Sequence, residues 1–128
     1  MLKLFKFKTR GIGIITSEVI KKDECIGTYL ENPPSTSEIV RHIYNGWFET
    51  PLLGRYVNHN INPNCKLTKT DNSLKLISKC NILENQEITI NYFDVIDLLK
   101  IPSDIVLKHG IHNFSYIEEN VMVTDKLI

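Results

Sequence analysis

Three stretches of the chain carry side chains able to do chemistry. The richest is Gly54-Arg55-Tyr56-Val57-Asn58-His59-Asn60-Ile61-Asn62-Pro63-Asn64-Cys65. From Asn58 to Cys65, four asparagines, a histidine and a proline fall within eight positions, a composition that continues neither helix nor strand. Such a loop is knitted by side-chain-to-backbone hydrogen bonds, or presents amide and imidazole groups to a polar ligand. A Cys65 nucleophile with His59 as base is a third chemistry. No orienting partner for that pair is evident, and a buried structural thiol is the more frequent case. The second stretch, Arg10-Gly11-Ile12-Gly13, enters a strand. Its Gly-x-Gly permits close backbone approach to a ligand, or simply a tight turn or bulge. It lacks the third glycine and the following helix of a dinucleotide fingerprint. The third, Asn85-Gln86-Glu87-Ile88-Thr89-Ile90-Asn91-Tyr92-Phe93-Asp94, reads as turn, alternating strand, then a tyrosine at the strand end with its ring packed and its hydroxyl wet.

The elements that must position these groups are short. Of 128 residues, 18 are Ile, 12 Asn, 12 Lys and none Ala, which favours β-branched strands over long surface helices. Strands are expected at Leu2–Phe7, Gly13–Val19, Cys25–Leu30, Cys65–Lys69, Leu74–Ser78 and Glu87–Asn91, with a hairpin turn at Thr70-Asp71-Asn72-Ser73. After Pro33-Pro34, Ser35 and Glu38 form a capping box. Ile39, Val40 and Ile43 then share a helical face, and Gly46 is the stop. Short helices are expected after Asp94, ending near Ile101 before Pro102, and after Ser103. The class is mainly β with a few short helices, in one domain.

Composition excludes several functions. Fifteen basic and fifteen acidic side chains cancel, which argues against direct nucleic-acid binding through bulk charge. That zero hides polarity: residues 1–83 carry 12 basic and 7 acidic side chains, and residues 84–128 carry 3 and 8. An acidic C-terminal third, including Glu118 and Glu119, could receive a basic peptide; dispersal of both charges over the solvated surface is the alternative. Hydrophobic residues at 42% exclude intrinsic disorder. No apolar run serves as a signal segment or membrane span. Cys25, Cys65 and Cys80 are odd in number and unpaired in spacing, so neither a disulfide framework nor a cysteine metal site is expected. An intracellular compartment, cytoplasmic or nuclear, is the expectation.

Order and spacing join the three stretches, which together resemble the SET domain family of protein-lysine methyltransferases. Lys8-Thr9-Arg10-Gly11-Ile12-Gly13-Ile14 looks like the family's opening Gly-x-Gly strand, and Ile20-Lys21-Lys22-Asp23-Glu24-Cys25-Ile26 like its "I-x-x-G-E-x-I" continuation. Arg55 to Cys65 matches "R-[FY]-x-N-H-S-x-x-P-N-C", and Glu87 to Tyr92 is similar to "E-[LI]-T-x-x-Y". Asn60 stands where Ser is usual; Asp23 and Gln86 replace a turn Gly and an acidic residue. No cysteine follows Cys80, so the zinc cluster of many nuclear members is not expected. The type resembled is the minimal, stand-alone one found in viruses and bacteria.

The resemblance implies several small curved sheets with a C-terminal pseudoknot. It divides the chain into a core at 1–94, with 32–53 as a short variable insert, and an extension at 95–128. It implies methyl transfer from S-adenosyl-L-methionine to a lysine amine of a protein or peptide, with a histone or other basic tail as the expected substrate. A non-catalytic protein-binding module is the alternative, and a homodimer is compatible with either. Tyr92 would be catalytic. Gly11, Ile12, Gly13, Arg55, Tyr56, Asn58 and His59 would hold the cofactor, although His59 could instead brace its loop. Phe93, Phe114 and Tyr116 are candidates for an aromatic wall around the lysine, and an apolar Ile90 tilts towards multiple methylation.

Overall fold

Leu2–Phe7 (β1), short and apolar apart from Lys3 and Lys6, pairs antiparallel with Gly11–Thr16 (β2), Leu2 opposite Thr16 and Phe7 opposite Gly11. The computed structural model describes residues 1–8, 11–33 and 42–102. A second sheet holds five strands. Cys25–Glu31 (β3) lies at its centre, flanked by Trp47–Glu49 (β5) and Ser73–Ser78 (β8); His42–Tyr44 (β4) and Cys65–Lys69 (β7) are the outer strands. All its neighbours run antiparallel. A third sheet is only two residues wide: Asn58–His59 (β6) pairs parallel with Thr89–Ile90 (β9).

The sheets share one core. Ile14, Leu30, Leu74, Leu76, Ile82, Ile88 and Ile90 are fully enclosed, together with Val57 and Val95. Each such side chain contributes about 1.5–3 kcal/mol by leaving water. Backbone bonds stitch the third motif to the first: Ile88 N–H donates to the Ile14 carbonyl at 2.8 Å, and Glu87 bridges Ile15.

Four of the expected strands, β1, β3, β7 and β8, appear within one residue of their expected ends, and the turn after Lys69 is closed by Thr70 and Ser73. Gly13–Val19 is shifted, running from Gly11 to Thr16, and Glu87–Asn91 shortens to Thr89–Ile90 because Asn91 is taken as a helix cap.

Three expectations are corrected. The capped helix does not reach Gly46; residues 34–41 lie outside the described ones, and His42–Glu49 is a hairpin. Asn45 (φ 48°) and Gly46 (φ 82°) are both left-handed, the geometry of a two-residue hairpin loop, and this Asn-Gly turn overrides the helical spacing of Ile43. His42 Nε2 accepts the Gly46 N–H at 3.0 Å and tightens the loop.

The helix expected after Asp94 instead starts earlier, as Tyr92–Leu99 (α2). Asn91 is the cap: its Oδ1 accepts the Phe93 N–H at 3.0 Å, which leaves Asp94 in the first turn, favoured by the helix dipole. Its end is as expected, with Lys100 left-handed before Pro102. The helix after Ser103 lies outside the described residues, as do Phe114, Tyr116, Glu118, Glu119 and much of the segment that would close a pseudoknot.

Finally, Asn58-His59 is strand rather than loop, because β9 supplies a parallel partner and Asn64 extends the ladder. Asn64 Oδ1 accepts the Thr89 N–H at 2.9 Å and its Nδ2 donates to the Glu87 carbonyl at 2.7 Å.

One further element, Leu53–Tyr56 (α1), was not foreseen. Thr50 Oγ1 starts it by accepting the Gly54 N–H at 2.9 Å while donating to the carbonyls of β3. No described helix is long and apolar enough to cross a membrane.

Candidate functional site

The three motifs meet where β2, β6 and the start of α2 come together. Gly13 is buried in β2 and needs its missing Cβ: an added one would collide with Glu87 Oε2 and sit 2.6 Å from Asn58 Nδ2 and 2.8 Å from Phe7 Cε2. Gly11 answers a different need, a left-handed φ of 80° with open space around it. Asn58 then locks the strands together. Its Nδ2 donates to the Ile12 carbonyl at 3.2 Å and to Glu87 Oε2 at 2.9 Å. Both amide protons are thereby used, which fixes the amide orientation and leaves Asn58 Oδ1 as an acceptor.

His59, next along β6, reaches α2. Its Nδ1 accepts the Tyr92 backbone N–H at 3.0 Å, and its ring stands 5.2 Å from the Tyr92 ring and 6.2 Å, edge-on, from Phe93. Nδ1 accepts only when unprotonated, so the imidazole proton sits on Nε2. Burial pushes the His59 pKa below its ordinary 6.5, and the nearby Asp94 carboxylate opposes that shift without reversing it. Nε2 is buried and has no partner among the described residues.

Tyr92 is held at its other end too, its hydroxyl donating to the Val57 carbonyl at 2.8 Å. A second phenol belongs to the same neighbourhood. Tyr29 of β3 is enclosed, and burial first, then Tyr92 and Glu49, pushes its pKa well above 10. Tyr29 is therefore a neutral hydroxyl at physiological pH.

Thus Ile12, Gly13, Asn58, His59 and Tyr92 are brought together, and Gly11 lies at the head of the same strand. Arg55 and Tyr56 sit on α1 directly before this group; Arg55 is exposed, and its guanidinium lies 5.3 Å over the half-buried Tyr56 ring. Cys65 is fully buried and its thiol is pushed up to about 12, chiefly by burial, so it is packing and not a nucleophile. Among the described residues no group of three or more His, Cys, Asp or Glu could hold a metal ion.

Glu87 and Tyr29 had no role in the sequence reading. Glu87 was legible, since it opens the Glu87-Ile88-Thr89-Ile90-Asn91-Tyr92 motif; Tyr29 carried no local signal, because only packing brings it near Tyr92.

Comparison with known proteins bears on this arrangement. Residues 35–93 match the SET domain family. No curated protein sequence matches the chain. Among solved structures, the methyltransferase domain of the human histone-lysine N-methyltransferase SETMAR superposes with a TM-score of 0.55 at 20% identity, over 73% of this chain and 44% of that one. The polycomb repressive complex 2 of Chaetomium thermophilum gives a TM-score of 0.55 at 18% identity, over 72% of this chain and 15% of that one. The chain therefore spans less than half the length of either structure. It has the fold of these structures, and its residues 35–93 match the SET domain family.

Proposed function

We propose that this chain transfers a methyl group from S-adenosyl-L-methionine to a lysine amine of a protein, with a histone or other basic tail as the substrate class. One observation carries the reading: Asn58 ties the Gly-x-Gly strand to Glu87 while its neighbour His59 holds Tyr92, so three distant motifs form a single hydrogen-bonded unit. The donor set fits such a cofactor. Asn58 Oδ1 and the Glu87 carboxylate are acceptors suited to an ammonium or sulfonium, and the Gly11–Gly13 backbone adds peptide groups at two positions that carry no side chain. When bound, the cofactor supplies a methyl group activated by its positive sulfur.

The chain's own residues then have to orient and exclude. Methyl transfer is an in-line displacement, so the contribution asked of the protein is alignment. Tyr92 is suited to that task because its hydroxyl proton is committed to the Val57 carbonyl, which aims the oxygen lone pairs at an incoming amine. The amine must be neutral to attack. Burial beside Tyr29, and a cation close by, both disfavour an ammonium and lower the lysine pKa. A strong base at the site is then unnecessary, consistent with a Tyr29 phenol that stays protonated.

The test is incubation with radiolabelled S-adenosyl-L-methionine and a panel of histones and cell lysate, with cofactor binding followed by calorimetry. The expected result is transfer that falls at least about 100-fold in Tyr92→Phe while cofactor affinity stays within about twofold. Absence of both transfer and cofactor binding would sink the reading.

A further inference from the structure

Tyr92 opens α2, and the first amides of a helix have no partner within it. Here each of the first three is satisfied differently. Phe93 N–H goes to the Asn91 side chain, Asp94 N–H to the Asn91 carbonyl at 2.9 Å, and Tyr92 N–H to His59 Nδ1 at 3.0 Å. Only the last of these acceptors titrates near physiological pH. The same segment also receives the far end of the residue, through the Tyr92 hydroxyl on the Val57 carbonyl. Residues 57–59 therefore grip Tyr92 at both ends.

We propose that His59 is a positioning residue: its neutral Nδ1 holds the Tyr92 backbone, and protonation of the imidazole in acid releases that hold and displaces the Tyr92 hydroxyl. A protonated Nδ1 would face the Tyr92 N–H donor to donor, and no rotation about the hydroxyl end relieves that. The groups facing His59 fix the direction of the response. From α2 these are the Asp94 carboxylate, the Tyr92 phenol and the Phe93 ring edge; from β9, Thr89 and Ile90 carry no charge. Asp94 favours the imidazolium, but burial outweighs it, so the hold is intact at neutral pH and fails below 6.5. The inference rests on the methyl-transfer reading only where activity is measured.

The experiment uses the full chain with ¹⁵N-labelled histidine and tyrosine, the His59 ring signal being the one missing from His59→Asn. The expected spectrum at pH 7.5 is the Nε2–H tautomer. On acidification the ring should protonate below 6.5, with the Tyr92 amide shift following at the same midpoint. Asn can accept the Tyr92 N–H through its side-chain oxygen but cannot titrate, so in His59→Asn the Tyr92 amide should cease to respond. The ratio of wild-type to His59→Asn kcat should fall about tenfold per pH unit below that midpoint, with the KM for the cofactor unchanged. Because the lysine amine titrates equally in both proteins, the ratio removes its effect. An Nδ1–H tautomer, a Tyr92 amide indifferent to His59, or identical acid limbs in the two proteins would overturn the proposal. Should His59→Asn not fold, the wild-type tautomer and the shared midpoint still decide. A protein without activity sinks the transferase reading and leaves those spectra to judge this one.

Discussion

Burial holds the titrating groups of this site in their neutral forms. His59, Tyr29 and Cys65 each shift towards the uncharged state, and in each the largest cause is loss of water. For Cys65 the consequence is direct. Native protein at pH 8 should react with iodoacetamide at the exposed Cys25 and Cys80 and spare Cys65, which labels only on unfolding. Mass spectrometry reads the stoichiometry, and rapid native labelling at Cys65 would contradict its assignment to packing. For His59 the sign runs the other way from a salt-bridged histidine. Its folded pKa lies below its unfolded one, so its contribution to stability is complete above pH 6.5 and is lost as pH falls through the folded value.

At the scale of elements, the site depends on how closely β2 and β6 approach. Gly13 is where Glu87, Asn58 and Phe7 all press on one backbone, whereas Gly11 has free space and only a conformational demand. Gly13→Ala should therefore cost about 1–3 kcal/mol by overpacking. Gly11→Ala should cost about 1 kcal/mol for placing a side chain at positive φ. Urea midpoints measure both, and an equal loss in the two variants would show that the contact is not the tight one described. Gly54 makes the same demand on α1, since an added Cβ would collide with the Tyr29 carbonyl. These short elements carry little stability alone; neighbours supply it. The two-residue strands β6 and β9 survive because Asn64 and Asn58 add side-chain bonds at either end of the ladder.

Across the whole molecule, three small sheets share one core and are cross-bonded through Ile15, Glu87 and Ile88. The two two-stranded sheets are too small to stand alone and depend on the five-stranded one. Unfolding should accordingly be one transition. Trp47, the single tryptophan, sits buried in β5 far along the chain from α2. Its fluorescence should lose native character at the same urea concentration as the far-ultraviolet circular dichroism. Two separated midpoints would mean that the five-stranded sheet folds without the β6–β9 pair.

The sequence by itself determined the strands that alternate or run apolar, the turn at 70–73, the end of α2 before Pro102 and the family to which the motifs point. Each of these is written in contiguous residues: side-chain period, proline's missing donor, or a fixed spacing. The Asn45-Gly46 turn and the Asn91 cap were equally local and were outweighed by a helical spacing and by Asp94. Only the tertiary structure decided that Asn58-His59 is a strand, that Asn58 bonds both Ile12 and Glu87, that His59 engages Tyr92 and that Tyr29 is nearby. Those facts join residues 29 to 46 positions apart in the chain, or more, and no local propensity encodes a partner at that distance. Packing of the shared core brings them within reach, and the reach of a hydrogen bond does the rest.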